Sequence, residues 1–313
     1  MTVSVRPGLL AGPARPARTT RSWLRSDRRV GMALLLPASV VFGVFVFYPL
    51  VRVIVLSTQG TDIFGQPAGW VGLQNYVRTF TDPAFAPTML NTALFCVGVV
   101  AGRIVFGLLI VVPLTAKLRG MPVFRALLTS PMVVSVSAGS VAFATMLAPG
   151  TGLVNTVIRQ FGGQGIPWLT DTHWALASVV LVTVWGSLGF TVLLLVGAFG
   201  AIDPQVVEAA QLDGAGPVRT FWSVSLPLVT PTLFFVVVTG TVEALTTFGQ
   251  IQILTSGGPA DSSRTLVYAI YQQAFGSASA NFGLAAALGV VLFLLVLGLS
   301  LVQFGVLEKR VNY

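Results

Sequence analysis

The sequence predicts an all-α, polytopic membrane protein with about six transmembrane helices. Three observations lead there. Apolar residues make up 54% of the 313 and charged residues only 9%, against about a quarter charged in an ordinary soluble domain. Several runs lack Asp, Glu, Lys and Arg over lengths that exceed the roughly 18 residues of a membrane span. The basic residues alternate in density from one connecting segment to the next.

Taken in order, residues 1–29 are rich in Arg, Pro and Ser/Thr and read as a disordered basic tail. The predicted spans are 30–51, 91–115, 126–147, 174–202, 226–254 and 282–307. Glycine and proline inside them raise no objection, because membrane helices carry more of both than soluble helices do. The run after Arg28-Arg29 is too long for a signal peptide core and no small-residue cleavage site follows it. It is expected to be a retained first span. The three connecting segments on the far side carry turn chemistry ("GQPAGW", "APGTG" with "FGGQGIP", and "TSGGPADSS") and are too short for a separate binding domain. Residues 30–313 thus read as one transmembrane domain, its core bundle at about 91–307.

The net charge of +8 reports topology. Seven arginines precede the first span; Lys117, Arg119 and Arg125 follow the second, Arg219 the fourth, and Lys309 and Arg310 the sixth. Those thirteen share one side of a six-span chain, against Arg52, Arg78, Arg159 and Arg264 on the other. The positive-inside rule then places both termini in the cytoplasm. A nucleic-acid-binding reading of the basic charge is thereby excluded.

Enzyme classes fare poorly. The two lysines never follow glycine, so no phosphate-cradling G-x-x-x-x-G-K-[ST] loop exists. A single cysteine, Cys96, and a single histidine, His173, leave no disulfide, no Cys/His metal cluster and no convincing nucleophile–base set. No metal is expected, and no cofactor is expected on this chain. If the protein moves a solute uphill, ATP is hydrolysed on another subunit or an ion gradient drives transport.

One polar island stands out: "AIDPQVVEAAQLDGAGPVRTFWSVSLP" between the fourth and fifth spans. Asp203 is a good helix cap and Pro204 suits the first helical position. Val206, Val207, Ala209, Ala210 and Leu212 give a mostly small apolar surface, with Glu208 and Asp213 exposed. Gly214 or Gly216 can supply the left-handed residue that ends the helix. Pro217 starts a second short helix carrying Phe221, Trp222 and Val224, closed by Leu226-Pro227. The chemistry suits an interfacial hairpin or a knob that docks into a cytoplasmic partner.

Glu208-Ala209-Ala210, three residues, Gly214, nine residues, then Val224-x-Leu226-Pro227 resembles the "EAA" loop of ATP-binding-cassette importer permeases. "WVGLQNY", "ILTSGGP", "TLVYAIYQQAF" and "NFGLAAALGVVLFLL" are similar to the carbohydrate-uptake, maltose-type branch. Within it, "DIFGQPAGWVGLQNYV", "DGAGPVRTFW" and "LVQFGVLEKRVNY" look most like the A-type permeases of Ugp systems. The resemblance implies the type I importer permease fold, with loop 201–227 as the coupling element to an ATPase. It assigns the coupling role to Glu208, Ala209, Ala210, Asp213 and Gly214. It implies a heterodimer with a second homologous permease, two copies of a nucleotide-binding ATPase that holds ATP and Mg, and an extracytoplasmic solute-binding lipoprotein. The implied cargo is sn-glycerol-3-phosphate or a glycerophosphodiester such as glycerophosphocholine, with a sugar or oligosaccharide as the alternative inside the family. An ion-coupled secondary transporter is the alternative outside it.

Matching by distance from that loop implies a solute pathway at Trp185, Gly186, Ser187 and Phe190 on the fourth span and at Thr246, Thr247 and Gln250 on the fifth. Aromatic, hydroxyl and amide groups suit a polyol, although Ser and Thr in membranes also serve simply to bond helices together. Arg103 and Glu243 are ionisable groups within spans, each costing on the order of 2.5–3.5 kcal/mol on insertion scales. Each is expected to face the pathway, a subunit interface or the other, and Arg103 would suit a phosphate.

Overall fold

A computed structural model describes residues 23–62, 64–114, 121–276 and 280–307. It resolves into two units, divided at Arg52. The first unit holds α1 (Trp23–Phe42), a π-helical turn at Gly43–Phe47 and the start of α2 (Tyr48–Ser57), whose residues 53–57 belong to the second unit. The stretch Leu34–Ser57 is long and apolar enough to cross a membrane; its most apolar part holds no buried residue, and Ser57 at its end is buried. Leu34 and Phe45 are both 74% exposed, which costs little where the surrounding solvent is hydrocarbon. The chain is already helical at Trp23, ahead of residue 30. The last seven residues of the expected tail are therefore helical, as Leu, Arg and Ser readily allow; residues 1–22 lie outside the described part, as do Lys117, Arg119, Lys309 and Arg310.

In the second unit an antiparallel hairpin follows, β1 (Gln59–Thr61) and β2 (Pro67–Trp70), paired Gln59 to Trp70 and Thr61 to Pro67. "GQPAGW" closes it: the Asp62 carboxylate accepts from the amides of Phe64 (2.9 Å) and Gln66 (2.7 Å), and Gly65 takes φ +78°. Then α3 (Gln74–Thr81) is tied back by the Asn75 amide, which donates to the Ser57 and Gln59 carbonyls at 2.9 and 2.8 Å.

Two long helices form the spine of the bundle, α4 (Phe85–Leu114) and, after α5 (Met121–Thr129), α6 (Val136–Met146) and α7 (Leu153–Gln160), α8 (Ala175–Gly200). Without a hydrophobic force between helices in lipid, close approach depends on small residues. Gly98, Gly102 and Gly107 of α4 provide it: a methyl group added at Gly102 would lie 2.7 Å from Val184, and one at Gly107 would lie 2.9 Å from Thr191. Phe95, Val99, Val179 and Val182 fill the core between these helices.

The third and fifth predicted spans are not straight. Val123–Val133 and Val136–Met146 meet at 101°, and Pro217–Leu228 and Thr230–Thr246 at 66°. At the first break, Pro131 sits in a 3-10 turn and Ser135 starts α6, its hydroxyl accepting from the Ala138 amide at 3.2 Å. The expected continuous helix 226–254 ends at Thr246. Thr247 turns extended and a separate short helix, Gly249–Leu254, follows.

Downstream, Ser256, Ala260 and Asp261 all hold positive φ values, and the Asn91 amide of α4 clamps the segment by donating to the Asp261 carbonyl at 2.9 Å. A short helix, Leu266–Tyr271, then leads to the last span, Phe282–Gly305.

Candidate functional site

Two features of the second unit carry chemistry: an exposed helical hairpin and a polar cavity inside the bundle.

The hairpin begins at Asp203, whose carboxylate accepts from the Gln205 amide at 2.9 Å and caps α9 (Pro204–Leu212). The helix ends in a Schellman arrangement. The Ala215 amide donates to the Ala210 carbonyl and the Gly214 amide to that of Gln211, both at 3.0 Å. Gly214 is the left-handed residue, at φ +82°, so of the two glycines the first ends the helix. The second arm, α10 (Pro217–Thr220), runs through a π-helical turn at Phe221–Ser225 into the single turn α11 (Leu226–Leu228). It therefore extends past the expected stop at Leu226-Pro227, and the break falls at Val229.

Glu208, Ala209, Asp213 and Gly214 are exposed and Ala210 is half-buried. Leu212 is 89% exposed and Trp222 61%, a large apolar display for so short a segment. Phe221 fixes the hairpin to the end of α8 by stacking on Phe199 at 5.9 Å.

The cavity, about 130 Å³, opens where the bend of α5 and α6 faces α8 and α12 (Thr230–Thr246). Trp185, Gly186, Ser187, Glu243 and Gln250 line it together with Ser135, Gly139 and Ser140. Phe190, Thr246 and Thr247 do not line it. Thr246 and Thr247 each donate to a carbonyl of their own helix, Val242 and Glu243, at 2.8 Å. Trp185 is held edge-on against Phe143 at 4.9 Å. A methyl group added to Gly186 would meet nothing within 4 Å, so that position is open space.

Arg103 is wholly buried and does not line this cavity. Its Nη1 pairs with the Glu243 carboxylate at 2.5 Å, and its Nε donates to Thr191 Oγ1 at 3.1 Å. The Glu243 side chain is 48% exposed, that of Arg103 1%. The two intramembrane charges thus stand back to front: cation sealed in the bundle, anion at the cavity rim.

The residues missed from sequence are Ser135, Gly139 and Ser140, and Thr191. The first three stand in "SVSAGS", a cluster of small residues just past Pro131; small residues beside a proline inside an apolar run were the available signal. Thr191 as the partner of Arg103 lies 88 positions away in sequence, and nothing local marks it. Among the described residues, no group of His, Cys, Asp and Glu could hold a metal ion.

A bent, multi-pass helical bundle with an internal polar cavity and an anchored exposed hairpin defines a membrane permease. The chain belongs to the family described as binding-protein-dependent transport system inner membrane component, which matches residues 98–313, and is a multi-pass protein of the bacterial inner membrane. It is 32% identical over 304 residues to the sn-glycerol-3-phosphate transport system permease protein UgpA of Yersinia pestis bv. Antiqua (strain Antiqua), covering 96% of this chain and 99% of that one. The corresponding protein of Agrobacterium fabrum is 32% identical over 283 residues, covering 90% and 95%. The fold matches a bacterial alginate ABC transporter solved in complex with an alginate pentasaccharide-bound periplasmic protein. The TM-score is 0.78 at 21% identity, over 93% of this chain and 99% of that chain. These matches agree with the maltose-type importer permease that the sequence phrases resemble, and set aside a lone ion-coupled transporter.

Proposed function

We propose that this chain forms part of the solute pathway of an ATP-binding-cassette importer for sn-glycerol-3-phosphate or a glycerophosphodiester such as glycerophosphocholine. The observation that carries the reading is the end-to-end likeness to permeases of sn-glycerol-3-phosphate transport systems. A second, homologous permease completes the passage. Two copies of an ATPase holding ATP and Mg bind at the cytoplasmic face, where both termini also lie. An extracytoplasmic solute-binding protein delivers the cargo.

The hairpin at 201–227 is the coupling element. Glu208, Ala209, Ala210, Asp213 and Gly214 sit on or beside its capped first helix, and the unburied Leu212 and Trp222 supply the apolar area that a partner's groove would cover. Trp185, Gly186, Ser187, Glu243 and Gln250 form this chain's wall of the pathway. Phe190, Thr246 and Thr247 stay as pathway candidates for a conformation in which the bent helices have shifted. Arg103 acts from behind Glu243, because its guanidinium is sealed away from any solute in this conformation.

Uptake of labelled compounds by the intact four-component complex tests the assignment. Accumulation of sn-glycerol-3-phosphate or glycerophosphocholine well above that of disaccharides is expected. Disaccharide uptake without glycerophosphate uptake would move the chain to the sugar branch.

A further inference from the structure

Ser140, Ser187, Thr183 and Glu243 give the cavity wall a run of hydrogen-bond acceptors. Ser140 Oγ donates to the Val136 carbonyl at 2.7 Å, and Ser187 Oγ to the Thr183 carbonyl at 3.0 Å. With their protons committed inside their own helices, these hydroxyls offer a solute only lone pairs. Thr183, also on the wall, donates to the Val179 carbonyl at 2.8 Å. Glu243 brings a carboxylate, one oxygen of which is engaged by Arg103. The neutral donors available are the Trp185 indole, the Gln250 amide and the hydroxyl of Ser135, whose oxygen accepts from the Ala138 amide while its proton is uncommitted; among the described residues, no Lys, Arg or His lines the cavity. Although the ion pair is neutral as a whole, its exposed end is the anion, and a phosphate placed there would meet like charge at close range.

Resting on the reading of this cavity as pathway, we infer that Glu243 is a specificity-determining residue: its carboxylate accepts from the hydroxyl-bearing end of the solute and turns the anionic end away from this chain's wall. Arg103 is the positioning residue. Held by Thr191 on α8, it fixes the carboxylate of α12 at the rim and compensates its charge from the side that the solute never reaches.

The test uses the reconstituted importer with its partner permease, ATPase and binding protein. Uptake of sn-glycerol-3-phosphate is compared with that of 3-hydroxypropyl phosphate, which lacks the central hydroxyl. The binding protein is the same throughout, so its own preference cancels between complexes. In Arg103→Met/Glu243→Gln the preference for the hydroxylated solute, as a ratio of kcat/KM, is expected to fall about tenfold, the scale of one hydrogen bond to a charged acceptor. Glu243→Asp, which keeps the charge but draws the carboxylate back, reads out the same ratio and is expected to lower it too.

An unchanged ratio in complexes that still transport overturns the inference. Gly186→Phe separates this from failure of the pathway reading. Its ring projects into open space and is expected to block uptake; wild-type uptake by that variant would show that the cavity is not on the route at all.

Discussion

Glu243→Gln destabilises the assembled complex more than Arg103→Met does, and the double variant is more stable than Glu243→Gln alone. Removing one partner of a buried ion pair costs about 3–5 kcal/mol, chiefly because the other charge is left uncompensated. Here the two losses are unequal. Without Glu243, the guanidinium remains sealed in the bundle with Thr191 as its remaining partner. Without Arg103, the carboxylate is left half-exposed at a polar cavity, where water can solvate it. Exchanging both groups for neutral ones of similar size removes the penalty, since such replacements are often neutral or better. Thermal unfolding of the three variants in detergent, arranged as a double-mutant cycle, checks the order. Additive single effects would mean that the pair is not energetically coupled.

Loss of the motor subunit is the expected result of Glu208→Lys combined with Leu212→Asp. Both side chains are exposed and lie on a helix with no buried residue, so the permease itself is expected to fold and insert unchanged. What changes is the docking face: a reversed charge where the partner meets a carboxylate, and a charge in place of 89%-exposed leucine. Truncating a central apolar anchor commonly costs 2 kcal/mol or more in binding, roughly thirtyfold in affinity. Co-purification of the ATPase should therefore fall by at least that factor. Gly214→Val acts differently, by straining the left-handed turn at φ +82° that aims the second arm. Retention of the ATPase by the double variant would place its docking surface elsewhere.

The exposed hairpin was largely legible in the sequence because its determinants are local. Asp203 as cap, Pro204 at the first helical position and a left-handed glycine are read within a dozen residues, and each is found in that place. The six apolar segments were legible for a similar reason, since charge depletion needs no tertiary knowledge. The bends were not. Residues 126–147 carry no charge, and Pro131 alone does not settle a break, because membrane helices tolerate proline where neighbours satisfy the freed backbone. The 101° turn packs against Gly189 of α8, at which a methyl group would lie 2.7 Å from the Thr129 carbonyl, a contact far from 126–147 in sequence. The end of the fifth helix at Thr246 escaped notice because "LTTFGQIQIL" stays uncharged across the break. Arg103 and Glu243 were visible as costly charges, but which one faces the cavity depends on packing between α4, α8 and α12.

Uptake into proteoliposomes holding both permeases and the binding protein, with and without the ATPase, bears most directly on whether an external motor drives this chain. Solute should be concentrated only when the ATPase and ATP are both present, and the Glu208→Lys/Leu212→Asp permease should stay silent even then. Concentrative uptake without the ATPase would contradict the proposal that this chain is a passage worked from outside through its hairpin.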